Sequence, residues 1–270
     1  MKISCSTTIA HRRPLDDALD RIAALGFAEV DLLAAHGWAH VSPRDLVDDF
    51  AATSAAIRTS MERRDLGIAA LNVAFSGPLY GRSEDDIARR QEEGLAVVNL
   101  MDAFDVDVAA VQPGGRPHGV ADTKLIEDAA ASWAELTVLA REKGRTLALE
   151  LHTGSPFDSP DAARELINRV PETMFAFDPS HLVGQGIDVH QVGWVLDRAA
   201  HVHLRDAESG RVQVPFNSGT VDFDWILEHL AARDYAGYVA VEYLDTDEFD
   251  VTESSRALAE KVRSYLERND

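Results

Sequence analysis

Four short apolar runs in the second half of the chain each close on side chains able to hold a cation or move a proton. They read Leu149-Glu150-Leu151-His152, Phe177-Asp178-Pro179-Ser180-His181, His201-Val202-His203-Leu204-Arg205-Asp206 and Val239-Ala240-Val241-Glu242-Tyr243. Side chains alternate across a strand, so Glu150 and His152 share one face while Leu149 and Leu151 take the other. A glutamate flanked by leucines is costly to bury without a partner. Asp178 directly follows its strand, and the turn after it can bring His181 back over the same mouth. His201 and His203 point to one face, with His203 nearer the strand end and His201 one layer lower, in a packing or supporting role. Each residue alone has a bland reading: a structural ion pair for either glutamate, a turn former before proline for Asp178, a satisfied core imidazole for a histidine. Their conjunction is more specific. Two glutamates, an aspartate and an imidazole make a mixed oxygen and nitrogen set suited to Mn²⁺ and tolerable for Mg²⁺, Co²⁺ or Zn²⁺. One divalent metal ion on Glu150, Asp178, His203 and Glu242 would also neutralise the repulsion of three clustered carboxylates.

Positioning such a set requires parallel strands whose ends gather at one place, and the hydrophobic pattern supplies them. Short β-type runs at 2–8, 28–34, 68–75, 107–113, 146–152, 173–178, 200–206 and 237–244 alternate with stretches of helical period. The pattern predicts helices from Pro14 to about Leu25, over 43–66 with Ser42-Pro43 at its start and Gly67 at its end, over 84–104 behind Ser83, and over 122–143 before Gly144. It predicts further helices after Ser159-Pro160, over 188–198, from Asp222 to about Arg233, and from Thr252 to about Leu266. Eight such units over residues 1–270 indicate a single (β/α)8 TIM barrel, where polar side chains near strand C-termini form the site. A doubly wound sheet would more often show a glycine-rich phosphate turn after an early strand; neither GxGxxG nor GxxxxGK[ST] occurs. The long segment 207–221 is expected to be a lid or a wall of the site. Gln112 ends the fourth strand, and His36 and Trp38 follow the second, so all three are candidates to line a substrate pocket. His190 and His229 fall on helices with the surface as their default place, and His11, His40 and His118 lie in loops.

Composition narrows the partners. The net charge of −20 disfavours another polyanion, so nucleic acid is a poor candidate, and no membrane partner is expected. No apolar run approaches the roughly 20 residues that span a bilayer. The opening MKISCSTTIAHRR lacks a secretory apolar region and reads as a first core strand. The one cysteine, Cys5, excludes an internal disulfide, fits a reducing, cytoplasmic setting, and is expected to be a buried, inert thiol.

The β/α rhythm, ALELH, FDPSH, HVHLRD and the closing GTVDFDWIL…YAGYVAVEY together resemble the xylose isomerase-like barrel superfamily of sugar-phosphate isomerases and epimerases. The likeness runs over nearly the whole chain and is most specific in 146–243. In the ketose 3-epimerase branch the matching positions bind one metal, which implies the same four residues here, and His181 of the D-x-x-H pattern would contact substrate. The His-x-Lys-Asp pattern appears with Arg205 in place of lysine, which keeps a cation for substrate. Many relatives carry a Gly-Glu-Gly loop before the last helix, where this chain has Asn217-Ser218-Gly219. The endonuclease IV branch needs further histidines on strands three and four, and Gln112 stands where one would be. Relatives often form dimers or tetramers, so a homo-oligomer fits the resemblance.

The resemblance implies a metal-dependent isomerase or epimerase acting on a ketose or related polyhydroxylated carbonyl compound through an enediolate, with Glu150 and Glu242 as the proton-transferring pair. A lyase acting on a keto-polyol, keto-cyclitol or oxidised glycoside begins with the same proton abstraction and adds a general acid, for which His152 is the first candidate. A non-catalytic sugar-binding barrel is the third alternative, since fold alone does not fix function.

Overall fold

The alternating strands close on themselves. The computed structural model describes residues 1–269, and its parallel strands are β1 (Lys2–Ser6), β2 (Glu29–Ala35), β3 (Gly67–Ala74), β4 (Val108–Val111), β5 (Thr146–Glu150), β6 (Met174–Phe177), β7 (Ala199–Leu204) and β8 (Tyr238–Val241). Each pairs with its neighbour in chain order, and β1 pairs with both β8 and β2, so the sheet is a closed barrel. A two-residue strand, Ala39–His40, adds an antiparallel hairpin to the end of β2. The helices between strands are α1 (Leu15–Ala24), α2 (Pro43–Asp48), α3 (Phe50–Glu62), α4 (Glu84–Phe104), α5 (Asp122–Glu142), α6 (Pro160–Arg169), α7 (Pro179–Gly184), α8 (Gly193–Leu196), α9 (Phe223–Ala231) and α10 (Val251–Asn269).

The period of two sorts each strand into a dry outer face and a functional inner one. Cys5, Val30, Leu71, Val111, Leu149, Phe175, Val202 and Val241 join one large core with the apolar faces of the helices. A second, small cluster contains Ala70, Val108, Ala110, Ala148 and Ala176, all from β3 to β6. Trp133 of α5 lies wholly buried in the large core, and its indole donates to Thr173 Oγ1 at 3.2 Å. Truncating it to alanine would cost about 3–5 kcal/mol.

Helix starts follow the side-chain caps. Ser42, Ser159 and Asp222 each accept a backbone N–H in the first turn, and Ser83 forms a reciprocal capping box with Asp86. Three expectations need correction. The helix over 43–66 is broken at Asp49 (φ −151°), which ends α2 and caps α3 by accepting from Ala52 N. The second piece stops at Glu62, Asp65 turns the chain at φ 54°, and Gly67 therefore opens β3 rather than ending a helix. The helix over 188–198 is a 3-10 turn at Val189–Val192 followed by the single turn α8, because the Asp188 carboxylate caps only a tight turn through His190 N. The first strand ends at Ser6, whose hydroxyl accepts from Thr8 N and starts a 3-10 turn at Thr7–Ala10.

Segment 207–221 folds around a buried carboxylate. Asp206 accepts from Ala207 N and Val221 N at Oδ1 and from Gly219 N at Oδ2, while Gln213 exchanges two hydrogen bonds with the Leu244 backbone. A Cβ at Gly219 would meet Asp206 Oδ1 at 2.2 Å, so the close approach requires glycine there.

Candidate metal centre

Strands β5 to β8 bring four donors to the same end of the barrel. Glu150 is the last residue of β5, Asp178 follows β6, His203 lies near the end of β7, and Glu242 follows β8. One donor atom from each falls within 4.8 Å of all the others, and each residue is at most 3% exposed. His203 Nδ1 is 3.1 Å from Glu150 Oε1 and 3.3 Å from Glu242 Oε2. Asp178 has two structural duties at once. Its Oδ1 accepts from Ser180 N, capping α7, and its Oδ2 accepts from Arg205 Nη2 at 2.8 Å. The turn-forming reading of Asp178 is therefore correct without removing it from the cluster.

The set fits a divalent cation. Three carboxylates and an imidazole are hard to borderline donors, and Glu150 Oε2 is buried with no hydrogen-bond partner among the described residues. Buried acceptors are rarely left so, and a cation satisfies one directly. The charges are also polarised within the cluster. Burial opposes ionisation of Glu150, but His203, His152 and His181 outweigh it and hold the carboxyl far below the usual range. Burial pushes Glu242 up to about 8 against the pull of His203 and Arg205. His203 lies well above its ordinary value, since Glu242 and Asp31 together overcome the cost of burying its charge. Burial and neighbouring charges thus push the two glutamates in opposite directions.

Around the four donors lies a shell of neutral or paired groups. His181 lines the cluster from α7, 3% exposed, and burial pulls it down to about 4. Its Nε2 is 3.1 Å from Arg205 Nη2 and its Nδ1 is 3.2 Å from Thr153 Oγ1. Arg205 Nε also donates to Ser180 Oγ at 2.7 Å, and Nη1 lies 3.8 Å from Glu242 Oε2. Its guanidinium is thus largely engaged by the protein. His152 is half-buried, with its ring centroid 4.0 Å from that of His181. Glu150, His152 and His181 also present donor atoms within 4.8 Å of one another. Gln112 reaches the cluster through Asn72: its amide donates to Asn72 Oδ1 at 3.3 Å, and Asn72 Nδ2 donates to Glu242 Oε1 at 2.7 Å.

Trp38 stands apart at the rim, 42% exposed, with its ring tilted against His11. His36 pairs with Ser42, and His40 with Thr7 Oγ1 and the Ala10 carbonyl. His190 is held between Asp188 and Asp222, and His229 pairs with Asp197. Two residues of the site escape the reading of strand ends. Asn72 and Asp31 lie inside β3 and β2, and their one available signal was a polar residue within a largely apolar strand. Cys5 is buried, and burial pushes its thiol up, as expected of an inert packing residue.

The profile of a family described as xylose isomerase-like TIM barrel matches residues 19–267. Among curated proteins, the inosose dehydratase of Glaesserella parasuis serovar 5 (strain SH0165) is 27% identical over 137 residues, 42% of this chain and 46% of the relative. The chain thus spans under half the length of that curated relative. Among solved structures, a D-tagatose 3-epimerase-like protein matches with a TM-score of 0.78 at 18% identity, covering 100% of both chains. The IolI protein with a binding zinc atom matches with a TM-score of 0.72 at 17% identity, covering 97% of this chain and 96% of that one. At such identities the structural likeness speaks for the fold. No helix among the described residues is long and apolar enough to cross a membrane.

Proposed function

Taking as premise that this chain belongs to the xylose isomerase-like TIM barrel family, we propose that it is a divalent-metal-dependent isomerase or epimerase of a ketose or related polyhydroxylated carbonyl compound. The observation that carries this reading is the buried set of Glu150, Asp178, His203 and Glu242, within reach of one another and with Glu150 Oε2 unpartnered. These four would hold the ion, with Mn²⁺ favoured and Mg²⁺, Co²⁺ or Zn²⁺ as alternatives. Bound there, it would supply Lewis acidity that polarises a carbonyl and makes the adjacent C–H more acidic.

The chain's own groups then divide the remaining work. Glu150 and Glu242 come from β5 and β8 and meet from either side of His203 Nδ1. One carboxylate removes the proton from the carbon beside the carbonyl and the other returns one to the opposite face, which inverts the centre. Asn72 donates to Glu242 Oε1, which leaves proton transfer to Oε2, the oxygen that faces His203 Nδ1 and Arg205 Nη1. Arg205, buried beside Asp178 and Glu242, offsets the negative charge that an enediolate would add to the pocket. His181 accepts from Arg205 and presents a neutral ring toward the site.

A lyase acting on a keto-polyol or keto-cyclitol is the second reading, favoured by His152 tilted against His181 at the edge of the cluster and by the partial match to an inosose dehydratase. There His152 would protonate the leaving hydroxyl. The test has two stages. Elemental analysis of the wild type beside Glu150→Gln and Glu242→Gln should find about one divalent ion per chain, reduced in both variants. Incubation of the loaded protein with ketoses and inososes in D₂O should then place deuterium beside the carbonyl. Retained mass apart from deuterium supports the isomerase, loss of water supports the lyase, and ligand bound without exchange leaves a binding barrel. A wild type that takes up no metal after reconstitution would overturn the four-residue site.

A further inference from the structure

Beneath the four donors a second buried layer carries a carboxylate that the proposed reaction does not use. Asp31 lies wholly buried on the inward face of β2. Its Oδ2 is 2.7 Å from His203 Nε2 and 3.4 Å from His201 Nε2. The two imidazoles stand edge to face, with centroids 4.8 Å apart and planes at 86°. Among the described residues these rings are the ion partners of Asp31. It is therefore a charge buried for the sake of two histidines, one of which belongs to the candidate metal set.

His203 is the one nitrogen donor of the four, and both its ring nitrogens face carboxylates: Nδ1 toward Glu150 and Glu242, Nε2 toward Asp31. A neutral imidazole carries one ring proton, and only the other nitrogen can bind a metal. Glu150 and Glu242, on the Nδ1 side, belong to the four-residue set that would hold the ion, whereas Asp31 lies outside that set, so Asp31 is placed to accept the Nε2 proton and leave the Nδ1 lone pair to the metal. We infer that Asp31 is a positioning residue that sets the tautomer and ring orientation of His203 for metal binding through Nδ1, with His201 holding the Asp31 carboxylate in place from the side. The inference rests on the metal reading given above. A purely structural role would predict a different result: loss of Asp31 would lower the stability of the fold and leave metal affinity alone.

The test measures Zn²⁺ dissociation constants of the full chain by competition with a chromophoric chelator, for the wild type, Asp31→Asn and His201→Gln. Thermal unfolding of the metal-free proteins serves as a check on folding. Asparagine offers either a weaker, neutral acceptor or an amide donor that reverses the roles of the two ring nitrogens. Affinity for Zn²⁺ is expected to fall about 10- to 100-fold in Asp31→Asn, the usual cost of removing such an outer partner, and by less in His201→Gln. Equal dissociation constants in folded wild type and Asp31→Asn would overturn the inference while leaving the metal site standing. Should Asp31→Asn not fold, ¹⁵N spectra of imidazole-labelled, Zn²⁺-loaded wild type decide the matter. A proton on Nε2 with metal on Nδ1 supports the assignment, and metal on Nε2 overturns it. A wild type that binds no Zn²⁺ removes the metal reading, and this inference with it.

Discussion

The two halves of the barrel use the same strand pattern and load its open end in opposite ways. β5 to β8 end in Glu150, Asp178, His203 and Glu242, a set dense in charge. From the first half, β3 and the residue after β4 contribute the amides Asn72 and Gln112, β1 ends in Ser6, and the carboxylate of Asp31 lies deeper, beside His203 and His201. The difference teaches how a buried acidic cluster is tolerated. Charges crowd on one side because the other side supplies neutral donors and an outer carboxylate that orients the imidazole, rather than further charges that would repel them.

The sharpest way to break this comparison is to neutralise the charged half. Glu150→Gln and Glu242→Gln are each expected to slow exchange of the substrate proton beside the carbonyl by about 10²- to 10⁴-fold, the usual share of a general acid or base, measured as deuterium uptake. The charged half should also be the side that gains from metal. Addition of the divalent ion at 100 times its dissociation constant is expected to raise unfolding free energy by about 2.7 kcal/mol, seen as a shift in Tm that vanishes in Glu150→Gln.

The neutral half should respond differently. Asn72→Ala removes the donor to Glu242 Oε1 and leaves that oxygen unpaired, so turnover is expected to fall by a factor matching about 1–3 kcal/mol while metal content stays at the wild-type level. Loss of metal in Asn72→Ala would show that the two halves do not divide the work in this way. Trp38→Ala, at the exposed rim, is expected to move KM by a few-fold at most, with kcat unchanged. The smallest effect belongs to the outward face of β1. Cys5 should react with a thiol reagent only as the protein unfolds, in step with loss of circular dichroism, because burial disfavours its thiolate.

Much of the site was legible because it lies where local pattern and barrel geometry coincide. A charged residue closing an apolar parallel strand has one place to go, which is why Glu150, His203 and Glu242 stood out. Asp178 was legible as well, although its proline neighbour also opened α7, a helix that the pattern did not show. Asp31 and Asn72 were harder. Each is a polar residue inside a largely apolar strand, and its meaning depends on a partner 172 or 170 positions away in the chain. The break at Asp49 had no glycine or proline to announce it, since Asp49 both ends one helix and caps the next.

By itself, then, the amino-acid sequence determined the order of the eight barrel strands, most of the long helices, the inward and outward faces, and the four strand-end donors, because strand period and helix caps are local properties. The tertiary structure alone decided which residues attend those donors: Asp31 beneath His203, Asn72 behind Glu242, and Arg205 locked to Asp178 rather than free in the pocket. Such pairings arise only when the barrel closes, since closure is what brings β2 and β3 opposite β7 and β8. No local period encodes the distance across a barrel.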